Sequence, residues 1–207
     1  MKKSVIFMKN HSLIYDNKEY ALDEIMEGHM ISKYLKIIIL EEMLYIKTIS
    51  LKSKIKNLEE YISNKITEIF PENNEILYDY EKNYNKNFVH IYSIKGRDKM
   101  EKLCRECVGL EIIPMQFVIR DSLKKILDIK KESYMAFTKF DDRYYFIECS
   151  NGAFVDNYVA DECMKVQKYL KNKNLYGKLF IDKKCYLDEY FLNKAEIIQM
   201  DFVGLLN

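Results

Sequence analysis

YMAFTKFDDRYYFIECSNGAFVDNYVADECMKVQKYLKNKNLYGKLFID, residues 134–182, runs through strand signals into a helix signal and back to a strand. Two β-favouring runs, 134–140 and 143–149, are joined by Asp141-Asp142. A third, 153–159, follows Asn151-Gly152, a hairpin signal because both residues tolerate positive φ. The period then changes. Cys163, Val166, Tyr169 and Leu170 recur at three- and four-residue steps, so 163–171 reads as a helix, with Asp161 placed to cap it. A strand at 178–182 follows Gly177, then a short helix at 187–193 and a last strand at 196–200. The order is three strands, a helix, a strand, a helix.

The same order is legible upstream, without detectable sequence self-similarity. Short β-favouring pieces at 4–8, 12–15 and 18–21 are separated by Lys-Asn-His and Asp-Asn-Lys turn signals, which makes a meander. Runs at 34–40 and 43–50 are expected to pair around Glu41-Glu42. Leu51, Ile55, Leu58, Ile62, Ile66 and Ile69 then mark an amphipathic helix over 51–70, stopped at Pro71. Runs at 76–81 and 87–94 read as an antiparallel hairpin. Arg97 to Cys107 reads as a helix ended by Gly109, 110–113 as a strand, and Phe117, Ile119, Leu123, Ile126 and Leu127 as a helix reaching about Asp128. The Lys-containing stretch 128–133 has no Gly or Pro and is the expected junction, dividing the chain into 1–130 and a shortened 131–207. The fold class is thus α/β with mixed sheets: βββαβα twice, the plan of the ribonuclease H-like and actin-like superfold. Such a fold does not by itself assign an activity.

Composition narrows the function classes. The 207 residues carry 33 basic and 32 acidic side chains, and Arg stands only at 97, 105, 120 and 143. That balance provides no broad cationic face for a nucleic-acid backbone. The longest apolar run, Ile37 to Leu40, is far short of the roughly 20 residues a spanning helix needs, and the N-terminal run 4–8 is too short for a signal peptide. A soluble cytoplasmic chain is the expectation. Five cysteines, an odd number, in a chain long enough to bury a core point to reduced thiols, with Cys149, Cys163 and Cys185 packing as small hydrophobes.

Candidate chemistry is sparse. Cys104-x-x-Cys107 has metal-like spacing, but tetrahedral zinc needs about four ligands and no second pair accompanies it. His11, His29 and His90 are scattered, and His90, inside a strand, is expected to be partnered and partly buried. A two-metal nuclease of this fold needs a carboxylate on its first strand, and Ser4-Val5-Ile6-Phe7-Met8 has none. No catalytic, cofactor-binding or metal-binding residue is assigned. A binding module remains. Its tyrosines suit a docking surface, with Tyr78, Tyr80, Tyr84, Tyr92, Tyr144 and Tyr145 as candidates.

Residues 34–127 resemble the pilus-assembly protein PilM and the cytoplasmic domain of its type II secretion counterpart GspL. The resemblance rests on "KIIILEEMLYIKTISL", the helix ending "ITEIFPENNEILYDYE", the strand "FVHIYSIK" and "MEKLCRECVGLEIIP". It implies an actin-like fold and a non-catalytic scaffold of a type IV pilus or type II secretion platform at the inner face of the cell membrane. It implies as partners PilN- and PilO-like bitopic inner-membrane proteins and the motor ATPase, with a homodimer as a further arrangement and membrane association through partners or a following transmembrane helix. A partner groove is expected between the halves near Asp79, Tyr80, Leu110 and Ile112. Leu205 and Leu206 resemble the Asn-Leu-Leu segment that precedes the membrane helix in GspL and docks on PilM in PilN. Relatives that hold ATP use Gly-rich turns, because glycine lets backbone N–H groups approach phosphate closely. Here the corresponding turns, 8–11 and 139–143, have no glycine and the second carries Asp141-Asp142, so no cofactor is expected. The alternative from another class is an actin-like ATP-binding protein or switch.

Overall fold

The computed structural model describes residues 3–22, 33–51, 55–69, 75–83, 87–104, 107–129, 132–173, 175–191 and 193–202. By compactness the chain divides into one unit made of 1–43 with 106–207, and a second made of 44–105. The junction expected near residue 130 lies inside the first unit, between its two sheets.

The first unit holds two five-stranded sheets of identical strand order. In one, β1 (Ser4–Met8), β2 (Ser12–Tyr15) and β3 (Lys18–Ala21) form the antiparallel meander, and β4 (Tyr34–Ile39) lies parallel to β1. The sheet is completed by β8 (Gly109–Pro114), giving the order β3-β2-β1-β4-β8. In the other, β9 (Tyr134–Phe140), β10 (Arg143–Ser150) and β11 (Ala153–Ala160) are antiparallel, and β12 (Lys178–Asp182) and β13 (Glu196–Met200) add in parallel, giving β11-β10-β9-β12-β13. The turns are built as their chemistry dictates. Asp16-Asn17 and Asn151-Gly152 both place two residues at positive φ, the conformation a two-residue hairpin needs.

The second unit is inserted between β4 and β8. It contains β5 (Tyr45–Ser50), an α-helix α1 (Leu58–Ile69), β6 (Ile76–Asn83), β7 (Phe88–Lys95) and a helix α2 (Arg97–Leu103), with sheet order β5-β7-β6. Ile62, Val89, Ile91 and Leu51 form its core, with Ile49, Ile55, Leu58, Ile66 and Tyr80 packed against them.

Several local expectations are corrected. The strands around Glu41-Glu42 do not pair with each other: β4 is the continuous apolar centre of a parallel ladder, as buried parallel strands are, and β5 pairs antiparallel with β7 in the inserted unit. Helix α1 starts at Leu58, not at 51. Asn57 and Glu60 cap each other there, the Glu60 N–H donating to Asn57 Oδ1 at 3.3 Å and Asn57 Nδ2 to Glu60 Oε2 at 3.1 Å. Leu51 and Ile55 keep the apolar period but pack as loop residues. Pro71 lies outside the described residues. Helix α2 ends at Leu103, so Cys107 lies beyond it and Gly109 opens β8 instead of closing the helix. A Cβ at Gly109 would sit 2.7 Å from the Tyr34 ring, which explains the glycine there. The helix expected over 187–193 is a single 3-10 turn, Glu189–Phe191.

Helix α3 (Met115–Leu127) follows β8, and its Asp128 C-cap is left-handed. It buries Phe117 against Phe154 of the second sheet, ring centroids 5.0 Å apart, with the Arg120 guanidinium lying over both rings. Helix α4 (Cys163–Lys171) covers the opposite face of that sheet, burying Val166 and Leu170 among Met135, Phe137, Phe146 and Leu179. Its cap position is Glu162, and Asp161 pairs instead with Lys165 at 2.6 Å.

Candidate functional site

The β1–β2 turn and the β9–β10 turn meet, because both sheets of the first unit present that end of their first hairpin to each other. Phe7 packs on Phe140 with ring centroids 5.1 Å apart. Just beyond this ring pair, Lys9 Nζ stands 2.6 Å from Asp141 Oδ2 and 3.4 Å from Glu19 Oε1. The Lys9 N–H donates to the Ser12 carbonyl, which closes the first turn. The Leu40 N–H donates to the Met8 carbonyl, which carries the chain of β4 alongside.

Glu41, two residues past β4, is the centre of the arrangement. It sits at φ 68, and its carboxylate accepts the Asn10 backbone N–H at 2.8 Å, Arg143 Nη2 at 2.6 Å and Arg143 Nε at 3.0 Å. The Glu41 N–H reaches the Tyr145 hydroxyl at 3.4 Å, and Gln116 Nε2 of α3 donates to the Glu42 carbonyl at 2.7 Å and to Asn157 Oδ1 at 3.3 Å. A non-glycine residue in the left-handed region costs about 1 kcal/mol or more, so such a position is held by its surroundings. Here the surroundings are the β1–β2 turn of one sheet, β10 of the other and helix α3.

The charges are mutually satisfied. Burial raises the Glu41 carboxyl, but the Asn10 N–H and the Arg143 guanidinium together hold it below the usual carboxylate range. Burial likewise opposes the ionised forms of Lys9 and Asp141, and their pairing overrides it, lifting Lys9 and lowering Asp141. The Glu41 side chain is 9% exposed and that of Lys9 13%. The two turns are therefore a clasp of interlocked ion pairs whose acceptors are carboxylates of the chain itself. No nucleophile–base pair lies among these groups, and among the described residues no cluster of three His, Cys, Asp or Glu is placed to hold a metal.

A second polar cluster ties α4 to its sheet. Lys173 Nζ pairs with Glu148 at 2.9 Å and with Asp156, the Tyr169 hydroxyl donates to Asp156, and the Tyr176 hydroxyl donates to Glu148 at 2.8 Å. Tyr158 stacks on Tyr169. These groups anchor the helix.

The described residues expected to receive a partner lie on strands of two sheets. Asp79 is exposed on β6, an edge strand of the inserted sheet, and accepts the Tyr80 N–H at 2.7 Å. Tyr80 packs against the core of that unit. Leu110, 44% exposed, and Ile112, half-buried, lie on β8, an edge strand of the first sheet. Leu205 and Leu206 lie outside the described residues, as do Tyr84 and His29. Of the other tyrosines, Tyr92 and Tyr145 are buried, Tyr144 packs against the second sheet's core, and Tyr78 is exposed. Cys104 and Cys107 are half-buried. His90 is buried, its Nδ1 3.0 Å from Thr48 Oγ1, and burial lowers its pKa, in line with a partnered strand residue.

Lys9, Glu41 and Arg143 were legible in the sequence as turn or strand-end residues and nothing more. The signal that marks them is charge complementarity: a lysine in the first turn matches an aspartate in the equivalent turn of the second half, and an arginine there matches a glutamate at the end of β4.

Comparison with solved structures fixes the class of this framework. A Bacteroides thetaiotaomicron VPI-5482 protein of actin-like ATPase fold and unknown function superposes with a TM-score of 0.52, covering 95% of this chain and 90% of that one at 10% identity. The fold is actin-like. This actin-like chain is also similar to the PilM–PilN type IV pilus biogenesis complex, with a TM-score of 0.52 at 9% identity over 96% of this chain and 88% of that one. The cytoplasmic domain of EpsL, an inner-membrane component of the type II secretion system of Vibrio cholerae, gives 0.54 at 9% identity over 98% and 91%. No protein-family model and no curated protein sequence matches the chain.

Proposed function

We propose that this chain is a non-catalytic cytoplasmic scaffold of a type IV pilus or type II secretion assembly platform at the inner face of the cell membrane. Its partners in this reading are PilN- or PilO-like bitopic membrane proteins and the motor ATPase. The observation that carries the reading is the likeness, over nearly the whole chain, to two assembly proteins of those machines. The clasp adds a charge argument against a nucleotide at this place. A nucleotide entering between the two turns would have to break the Lys9–Asp141 and Arg143–Glu41 pairs and bring phosphate charge beside Asp141, Asp142 and Glu41. Edge strands with exposed side chains, β6 at Asp79 and β8 at Leu110, are where an extended partner segment would add main-chain hydrogen bonds.

A second reading, an actin-like ATP-binding switch, draws on the likeness to the protein of actin-like ATPase fold. A thermal-unfolding series with Mg-ATP separates the two. Under the scaffold reading the midpoint stays flat with nucleotide while the chain co-purifies with a bitopic membrane protein of a pilus or secretion locus. A midpoint that climbs with ATP concentration, as mass action requires of a ligand selective for the native form, refutes the scaffold reading.

A further inference from the structure

The donors gathered at Glu41 have the makings of an anion site. One backbone N–H, from Asn10, and two guanidinium N–H groups, from Arg143, converge on a single carboxylate that is 9% exposed, and the Lys9 ammonium lies on the next residue of the same turn. A planar guanidinium fork with a backbone amide is the donor set that recognises carboxylate and phosphate oxygens alike. The occupant is internal, and it is held there by a residue at positive φ, a backbone state that Glu41 would not choose alone.

We propose that Glu41 is a tethered anion that fills a built phosphate-type site formed by the Asn10 N–H and Arg143 beside the Lys9 ammonium, and that its carboxylate keeps small phosphate anions out. The inference rests on the scaffold reading and deepens it, because it names the group that closes the place between the two turns. An intramolecular ligand competes with a free one through its effective concentration, which is already about millimolar for a short flexible linker. With the Glu41 carboxylate fixed against its donors, inorganic anions below that range compete poorly. Removing the carboxylate leaves three donors directed at a vacated, largely buried position, and unsatisfied buried donors favour any anion of matching size.

The probe is inorganic pyrophosphate without nucleoside, titrated to about 10 mM against wild type, Glu41→Ala, and Glu41→Ala with Arg143→Met, at constant ionic strength. Wild type reports the general salt effect of the anion and is expected to respond no more than it does to sulfate. Glu41→Ala is expected to show a midpoint rise of about 3 °C or more that grows with concentration, and the Arg143→Met companion to lose it. If Glu41→Ala does not give a cooperative melt, Glu41→Gln keeps the side-chain shape and the comparison is made there. A folded Glu41 variant that responds no more than wild type overturns the inference, and so does a wild type that responds as strongly as the variant. Because the readout is the difference between variant and wild type with a nucleoside-free anion, it is decided separately from the wild-type response to Mg-ATP that tests the scaffold reading.

Discussion

Breaking the Lys9–Asp141 pair tests whether the clasp holds the two sheets together. The two side chains are 13% and 32% exposed and their charged atoms are 2.6 Å apart. Two unit charges near a protein surface attract by about 4 kcal/mol at 4 Å with an effective dielectric constant of 20. Desolvation and side-chain ordering offset much of that, and fully exposed pairs retain roughly 0.2–1 kcal/mol. For this partly buried pair we expect a coupling of about 1–2 kcal/mol. The assay is a double-mutant cycle by urea unfolding with wild type, Lys9→Met, Asp141→Asn and the double variant. Asparagine is chosen because Asp141 sits at φ 53, which asparagine tolerates. The pH dependence has a defined sign. Asp141 titrates below its ordinary 3.8, so its contribution is complete above the unfolded-state value and is lost as pH falls through the folded one. Lys9 titrates above its ordinary 10.5, so its contribution is complete below that value and is lost as pH rises through the folded one. The coupling is therefore flat from about pH 5 to 9 and shrinks on either side, and it falls in roughly 1 M salt as the Debye length contracts to about 3 Å. Additive single variants, within about 0.3 kcal/mol at low salt, would refute the claim that the turns are clasped through this pair.

Three further outcomes follow from the inserted unit. Ile62, 1% exposed in its core, should cost about 2–4 kcal/mol when cut to alanine, measured as loss of hydrogen-exchange protection along α1 and β7; protection equal to wild type would show that α1 does not carry this core. Tyr80→Ala should lower the stability of that unit by about 1 kcal/mol or more, because Tyr80 packs on its core, whereas exposed Asp79→Ala should stay within about 0.5 kcal/mol, so equal effects in urea unfolding would contradict the assignment of the two side chains. His90 titrates below its ordinary 6.5 because burial disfavours its charge. Its stabilising share is present above that value and lost as pH falls through the lowered folded one, so the protection factors of the β7 amides, corrected for the intrinsic exchange rate, should fall from pH 7 to 5, and His90→Gln should flatten the change.

The strand edges of both hairpins, the turns at 16–17 and 151–152, the helical faces of α1, α3 and α4, and the repeated order of elements were all legible in the amino-acid sequence. Each depends on contacts within a few residues: side-chain period, turn residues that accept positive φ, and apolar stripes one helical turn apart. Where local signals competed, the reading slipped. The apolar period ran on through Leu51 and Ile55, yet the Asn57–Glu60 capping pair set the start of α1. The juxtaposition of 34–40 and 43–50 suggested a hairpin, yet the apolar side chains of β4 required a partner on each side, and β1 and β8 supplied them. The expected docking residues were chosen by resemblance, and those described lie on β6 and β8, edge strands of two different sheets.

Tertiary structure alone decided what the two turns are for. Arg143 and Glu41 are 102 positions apart, and no periodicity links a glutamate at a strand end to an arginine in a later hairpin. The pair exists because two sheets of the same strand order bring equivalent corners together, where burial weakens screening and makes complementary charge worth more than it is in water. Local chemistry therefore wrote the elements and their order, and the meeting of the sheets converted four ordinary charges at strand ends and turns into a clasp.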